Sequence, residues 1–284
     1  KKNPQLDRKI PSSPFIPQNI DECNERCLQV VKMQANALAK RLKHTNCKSA
    51  VIGLSGGLDS TLALLITTMA FDLCNLPRKS IYSITMPCFG TTDRTYNNAC
   101  KLANECGTTL KEINISQSVK MHFQDIGQDE KNHDVTYENS QARERTQVLM
   151  DFANKINGIV IGTGDLSELA LGWCTYNGDH MSMYGVNAGI PKTFMRYLVN
   201  WFAQDAKSNN KNDLGDVLID ILETPVSPEL LPPEEGNISQ KTENLVGPYE
   251  LHDFYLYYVL KYGFSPSKIL FLADIHGNMP AVEA

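Results

Sequence analysis

A chain of 284 residues, 42% of them hydrophobic, can bury a sizeable core, and no long Pro/Gly/Ser linker divides it, so one large domain is expected. The formal net charge of −5 argues against broad nucleic-acid binding, which needs a basic domain or stripe, but leaves room for a small anion held by a few local cations. There is no apolar signal-type segment at the start and no run of about 18 apolar residues, so no membrane partner is expected.

The eight cysteines are scattered, with no Cys-x-x-Cys pair and no zinc spacing, and read as reduced thiols of a cytoplasmic protein. Residues 1–18 form a polar lead-in with prolines at 4, 11, 14 and 17, as in a linker from something upstream. Residues 19–273 are read as the domain and 274–284 as a tail of uncertain kind. The absence of an initial Met and the stop at Ala284 suggest one part of a longer polypeptide.

Along the chain, Asn19–Lys43 carries Leu28, Val31, Ala35, Leu38 and Leu42 at helical spacing. Ser49–Leu54 is a short buried strand, broken by Ser55-Gly56-Gly57 and followed by a helix over Leu58–Leu73. A second strand spans Ser80–Met86, and Thr91 or Asp93 caps a helix that runs through Cys106 to Gly107. Thr109–Ile115 alternates as a strand does, and Glu138–Asn157 is a long helix. The core strand Gly158–Ile161 leads through Thr163-Gly164-Asp165 into a short helix, Leu166–Leu171. The remainder reads as mostly helical, with a loop around Pro225–Ser239. Strands alternating with helices predict an α/β fold, a parallel sheet with helices on both faces. Ligands of such sheets sit beyond the carboxyl ends of the strands, where both glycine-rich breaks fall.

The strongest local signal is Gly53-Leu54-Ser55-Gly56-Gly57-Leu58-Asp59-Ser60. Glycines let the backbone turn tightly and approach a ligand, and the free amides of the helix start suit phosphate. A carboxylate beside a phosphate needs a cation between them, so Asp59 is a candidate magnesium ligand. A plain turn with Asp59 as helix cap would give the same residues. The loop is neither the Walker pattern nor the dinucleotide Gly-x-Gly-x-x-Gly. It resembles the SGG-x-DS signature of the ATP pyrophosphatases, the PP-loop enzymes, which implies a Rossmann-like, adenine nucleotide alpha-hydrolase-like fold.

A second block, Ile161-Gly162-Thr163-Gly164-Asp165-Leu166-Ser167-Glu168 through Gly172-Trp173 to Gly189-Ile190-Pro191-Lys192-Thr193, resembles NAD synthetase, in particular the synthetase domain of the bacterial glutamine-dependent type. So do Thr136-Tyr137-Glu138-Asn139, Gly247-Pro248 and Tyr262-Gly263-Phe264, and the resemblance covers nearly the whole chain. It implies a ligase that adenylates the nicotinate carboxylate of deamido-NAD with ATP, releases pyrophosphate, and lets ammonia displace AMP to give NAD. ATP as co-substrate, Mg²⁺, deamido-NAD and ammonia are the implied ligands. A homodimer is implied as well, with ammonia free or supplied by a glutaminase domain that this sequence does not contain.

By the same resemblance, Gly53, Leu54, Ser55, Gly56, Gly57, Leu58, Asp59, Ser60, Thr163, Lys192 and Ser227 bind ATP. Asp59 and Glu168 hold magnesium. Asn139, Arg143, Glu168, Trp173, Cys174, Thr175 and Tyr176 border deamido-NAD, and Asp59, Lys192 and Asp179 are the catalytic candidates. Each has a plainer alternative. Glu168 would serve as a capping residue, Lys192 as a solvated charge, Asn139 and Arg143 as a polar stripe, Trp173 as core. Another PP-loop enzyme acting on tRNA, or a degenerate nucleotide-binding module, would keep part of this pattern. The stretch Asp274-Ile275-His276-Gly277-Asn278 resembles the first metal block of calcineurin-like phosphoesterases, but only six residues follow it, too few for the other blocks, and it is read as accidental.

Overall fold

A computed structural model describes residues 10–224, 230–231 and 242–276. Helix α1 (Ile20–Thr45) starts where the Asn19 side chain accepts the Asp21 and Glu22 amides, and ends at Asn46 in the left-handed region. Its buried face includes Val31, Ala35, Leu38 and Leu42 of the stripe read from the sequence, with Cys27 buried where Leu28 was expected and Leu28 only half-buried. Strand β1 (Ala50–Gly53) is fully buried except at its last residue. Helix α2 (Leu58–Leu73) follows the Ser-Gly-Gly turn, and its first eleven residues are buried on almost every side. Such a helix must lie between other layers rather than on the surface.

Strand β2 (Ile81–Thr85) and helix α3 (Asp93–Glu105) follow. The cap of α3 is Thr92, whose extended backbone and hydroxyl fit the N-cap role, in place of the expected Thr91 or Asp93. The Thr91 hydroxyl instead accepts the Cys88 amide within the preceding turn. After β3 (Thr109–Glu112) comes α4 (Ser116–Ile126), a helix the sequence pattern did not signal. Helix α5 (Val135–Lys155) begins three residues before the expected Glu138, because the Asp134 carboxylate accepts the Thr136 and Tyr137 amides. Then come β4 (Ile159–Gly162), α6 (Leu166–Leu171), the two-residue β5 (Tyr184–Gly185), α7 (Lys192–Ser208) and α8 (Asn212–Leu222). The short α9 (Glu243–Val246), α10 (Tyr249–Tyr262) and α11 (Pro266–His276) complete the described chain.

The five strands are parallel throughout, in the order β3-β2-β1-β4-β5. The chain lays β1, β2 and β3 outward in one direction, then returns to place β4 on the other side of β1. The carboxyl ends of β1 and β4 therefore lie side by side, and the loops leaving them border one crevice. Strand alternation builds a core on each face. Ala50, Ile52, Ile159 and Ile161 pack with α1, α2, α3, α7 and α8. Val51, Ile84 and Val160 pack with Val119 and Phe123 of α4 and Tyr137 and Ala153 of α5. The predicted helices on both faces are thus present. A third, smaller cluster joins Ile10 of the lead-in to Phe254, Tyr258, Ile269 and Leu272 of α10 and α11. Ile16 joins the larger core, and α11 extends to His276. The lead-in before Ile10, most of the Pro225–Ser239 loop, and Gly277-Asn278 of the tail motif lie outside the described residues.

The Ser-Gly-Gly turn is fixed by one close approach. Gly56 has φ +84°, and a Cβ there would stand 2.0 Å from the Thr95 carbonyl oxygen of α3. Gly56→Ala combines positive φ with a backbone clash, so a loss of about 2 kcal/mol or more of unfolding free energy is expected. Denaturant titration checks this; a variant as stable as the parent would show that α3 does not press on the turn.

Candidate active site

The crevice is lined by the carboxyl ends of three strands. Gly53-Leu54-Ser55 leave β1, Thr85-Met86 leave β2, and Gly162-Thr163-Gly164 leave β4, around a cavity of about 290 Å³. Asp59, Ser60, Glu168, Trp173, Cys174 and Asp179 also reach it. Gly57, the N-cap of α2, offers no side-chain acceptor, so the first-turn amides of that helix keep their donors for whatever lies in front. The Ser55 hydroxyl is shaped by the loop itself. It accepts the Gly57 amide at 3.2 Å and lies 3.2 Å from the Ser60 hydroxyl.

One buried side chain ties the two loops together. Asn187 Nδ2 donates to the Asp59 carbonyl at 3.0 Å and to the Thr163 carbonyl at 3.1 Å. Gln34 of α1 in turn donates to Asn187 Oδ1 and to the Val186 carbonyl. The relative position of the two glycine-rich loops is thus set by a residue read in the sequence only as part of a longer motif.

The centre of the site is Lys192, the first residue of α7, whose side chain is 3% exposed. Its Nζ stands 2.6 Å from Asp59 Oδ1, 2.9 Å from Asp165 Oδ2 and 2.9 Å from Glu168 Oε1. The Tyr249 ring of α10 lies 5.3 Å from the same ammonium. The surface-charge alternative for Lys192 is therefore ruled out. Burial disfavours the ammonium, but the three carboxylates outweigh it and hold the lysine protonated well above its ordinary range. Three carboxylates around one cation still leave surplus negative charge. Burial first, and then Asp59, push the Glu168 carboxyl up to about 8. Burial also raises the Asp165 carboxyl to about 6, against the pull of Lys192. Oxygens of Asp59, Asp165 and Glu168 lie within 4.8 Å of one another. Hard carboxylate oxygens at that spacing suit a magnesium ion.

Asp165 was read from the sequence only as the residue that leads into the short helix Leu166–Leu171. It caps that helix, accepting the Glu168 amide at 2.8 Å, and it is also the third carboxylate, fully buried. Its second role rests on Lys192 lying opposite, which local sequence does not reveal.

On the far wall, the Asp179 carboxylate accepts the Thr175 amide at 2.7 Å, and the Thr175 hydroxyl donates to Asn139 Oδ1 of α5 at 2.8 Å. Arg143, one turn along α5, donates to the Tyr176 carbonyl at 3.1 Å. Asn139 and Arg143 thus brace the Thr175-Tyr176 loop and do not line the cavity. The Tyr176 ring is 75% exposed, stacked on His180, while Trp173 and Cys174 border the cavity directly. Ser227 lies outside the described residues.

A parallel sheet with a Ser-Gly-Gly loop at its switch point, facing an acid–lysine cluster, defines a Rossmann-like fold of the PP-loop kind. The family model described as NAD synthase matches residues 30–273, and the chain belongs to that family. The glutamine-dependent NAD(+) synthetase of Mycobacterium tuberculosis is 45% identical over 271 residues, covering 94% of this chain and 40% of the relative. That of Mycobacterium leprae is 43% identical, covering 93% and 39%. The chain thus spans about two fifths of the length of these curated relatives. Among solved structures, a glutamine-dependent NAD(+) synthetase from Cytophaga hutchinsonii superposes with a TM-score of 0.70 at 18% identity, over 89% of this chain and 46% of the other. NMN synthetase from Francisella tularensis gives 0.67 at 21% identity, over 91% and 98%. At such identities these two establish a shared fold.

The raised Glu168 carboxyl has a thermodynamic consequence for the ligand-free chain. Its ordinary value is 4.5 and its folded value about 8, so between them the folded state binds the extra proton. That contribution to stability is fully present below 4.5 and is lost as pH rises through about 8. Melting temperature of the ligand-free chain should fall over this window, and Glu168→Gln should flatten the fall. A variant with the parent's pH slope would remove Glu168 as its source.

Proposed function

We propose that this chain is the synthetase part of an amide-forming ligase that converts deamido-NAD to NAD with ATP, releasing AMP and pyrophosphate. The observation that carries the reading is the buried Lys192, ringed by Asp59, Asp165 and Glu168 at the meeting of two glycine-rich strand ends. Membership of the NAD synthase family and the names of the curated relatives support the same substrates.

A carboxylate is a poor acyl donor because oxide is a poor leaving group. Attack of the nicotinate carboxylate on the α-phosphorus of ATP expels pyrophosphate and leaves AMP attached to the acyl carbon. Ammonia then attacks that carbon, AMP departs, and the amide remains. The protein's work in both steps is to position reactants and neutralise phosphate charge. In this reading the amides at the start of α2, with the Ser55 and Ser60 hydroxyls, receive the pyrophosphate end of ATP. Lys192 turns from its carboxylates toward the phosphates. Asp59 and Glu168, joined by Asp165, would hold magnesium, which supplies the charge neutralisation that the acidic cluster alone opposes. Trp173 and Cys174 wall the cavity on the side where a flat pyridine ring would pack. The Asp179–Thr175–Asn139 chain of hydrogen bonds fixes that wall, and Arg143 and Tyr176 form its outer rim.

The ammonia is free, or comes from a glutaminase segment outside this sequence, as the glutamine-dependent relatives suggest. A homodimer and a reducing, cytoplasmic setting complete the proposal. All eight cysteines are free thiols, and no helix among the described residues is long and apolar enough to cross a membrane.

With ATP, deamido-NAD, Mg²⁺ and ammonium, the chain should form NAD and AMP in equal amounts, and Asp59→Ala should lower the rate by about a hundred-fold or more. Chromatography of the nucleotides measures both. AMP formed without NAD would reject the amidation step, and neither product from the folded chain would reject the synthetase reading.

A further inference from the structure

Helix α7 carries Lys192 at its first position but has no cap of its own. Pro191, at the N-cap, offers no side-chain acceptor. Its leading amides find acceptors on two other helices. The Lys192 amide donates to the Ser167 hydroxyl of α6 at 2.9 Å. The Thr193 amide donates to Asp253 Oδ2 of α10 at 2.9 Å, and the Thr193 hydroxyl donates to the same oxygen at 2.5 Å. The Ser167 hydroxyl donates to the other carboxylate oxygen of Asp253. Asp253 is 2% exposed. It therefore serves as a helix cap supplied from elsewhere in the fold, with its charge at the positive end of the α7 dipole.

The two residues it grips are sequence neighbours of the two that matter. Ser167 precedes Glu168, and Thr193 follows Lys192. One carboxylate thus sets the backbone of an acidic ligand candidate and of the cation between the acids. One turn earlier on α10, Tyr249 presents its ring to the Lys192 ammonium. Packing alone would be served as well by an apolar residue, since burying a carboxylate costs desolvation; what the carboxylate adds is fixed geometry.

We propose that Asp253 is a positioning residue of this site, holding Lys192 and Glu168 in register through Thr193 and Ser167. The proposal rests on the synthetase reading for its effect on turnover, and on geometry alone for its effect on the site.

Asp253→Asn keeps the shape but not the charge. Its amide oxygen can serve Thr193, leaving an amide group against Ser167. In Asp253→Asn, amide hydrogen exchange in the first turn of α7 should quicken by about ten-fold or more, with the β1 and β4 amides unchanged. The dissociation constant for Mn²⁺, titrated as the metal alone, should rise by about ten-fold, and kcat for NAD formation should fall by a similar factor with little change in KM for deamido-NAD. Asn19→Ala removes the cap of α1 and serves as a stability control; it should leave Mn²⁺ affinity and kcat at parent values. Ser167→Ala tests the same network if Asp253→Asn does not fold, and should shift the same readouts in the same direction. Parent-like exchange and parent-like Mn²⁺ affinity in both network variants would overturn the proposal, as would an equal loss of affinity in Asn19→Ala. Altered exchange and affinity in a chain that makes no NAD would sustain the positioning role while rejecting the synthetase reading.

Discussion

A single ammonium with three carboxylates around it organises this structure. Lys192 is buried almost completely, and a buried cation is tolerable only if its charge is met at hydrogen-bond distance. Asp59 comes from the first turn of α2, which follows β1, while Asp165 and Glu168 come from the N-cap and first turn of α6, which follows β4. The lysine itself comes from α7, far along the chain. The ion cluster can form only if the sheet places β1 and β4 side by side and α7 caps the crevice between them. It depends most on the lysine, because removing Lys192 would leave three carboxylates together with no cation between them in a low-dielectric setting.

The cluster is also over-supplied with acid. In the ligand-free chain the excess is met by one lysine and by raised carboxyl groups on Glu168 and Asp165. In the proposed reading, an incoming divalent cation would offset that excess, and a polyphosphate would draw the lysine away. The same electrostatic surplus that burdens the fold would favour a metal-bound anionic substrate, which is how the proposed chemistry and the geometry meet.

Around this centre the scaffold spends polar side chains on register. Asn187 bridges the two glycine-rich loops, Asp253 caps α7 from α10, and Asp179 with Thr175 and Asn139 braces the opposite wall. Each is a short-range bond between segments distant in sequence. Together they hold the crevice to one shape while the apolar cores on the two faces of the sheet supply the bulk of the folding free energy.

The local pattern of the chain was sufficient for β1, the Ser-Gly-Gly turn and α2, because strand burial, glycine and helix start are all written within a few consecutive residues. It also marked Asp59 beside that turn, while Glu168 and Lys192 were singled out by the resemblance to NAD synthetase. It was silent on α4, whose short helix buries only Val119 and Phe123, and it misplaced the α3 cap by one residue among neighbours that can all accept an amide. The sequence by itself determined the alternation of elements, the loops that would face a ligand, and the family to which the chain is akin. Only the tertiary structure decided that Asp165 is a third acid, that Asn139 and Arg143 brace the far wall without lining the cavity themselves, and that Asp253 holds the lysine's helix. Those roles depend on partners tens of residues away, and no periodicity along a chain encodes which side chains the sheet will bring within hydrogen-bond distance.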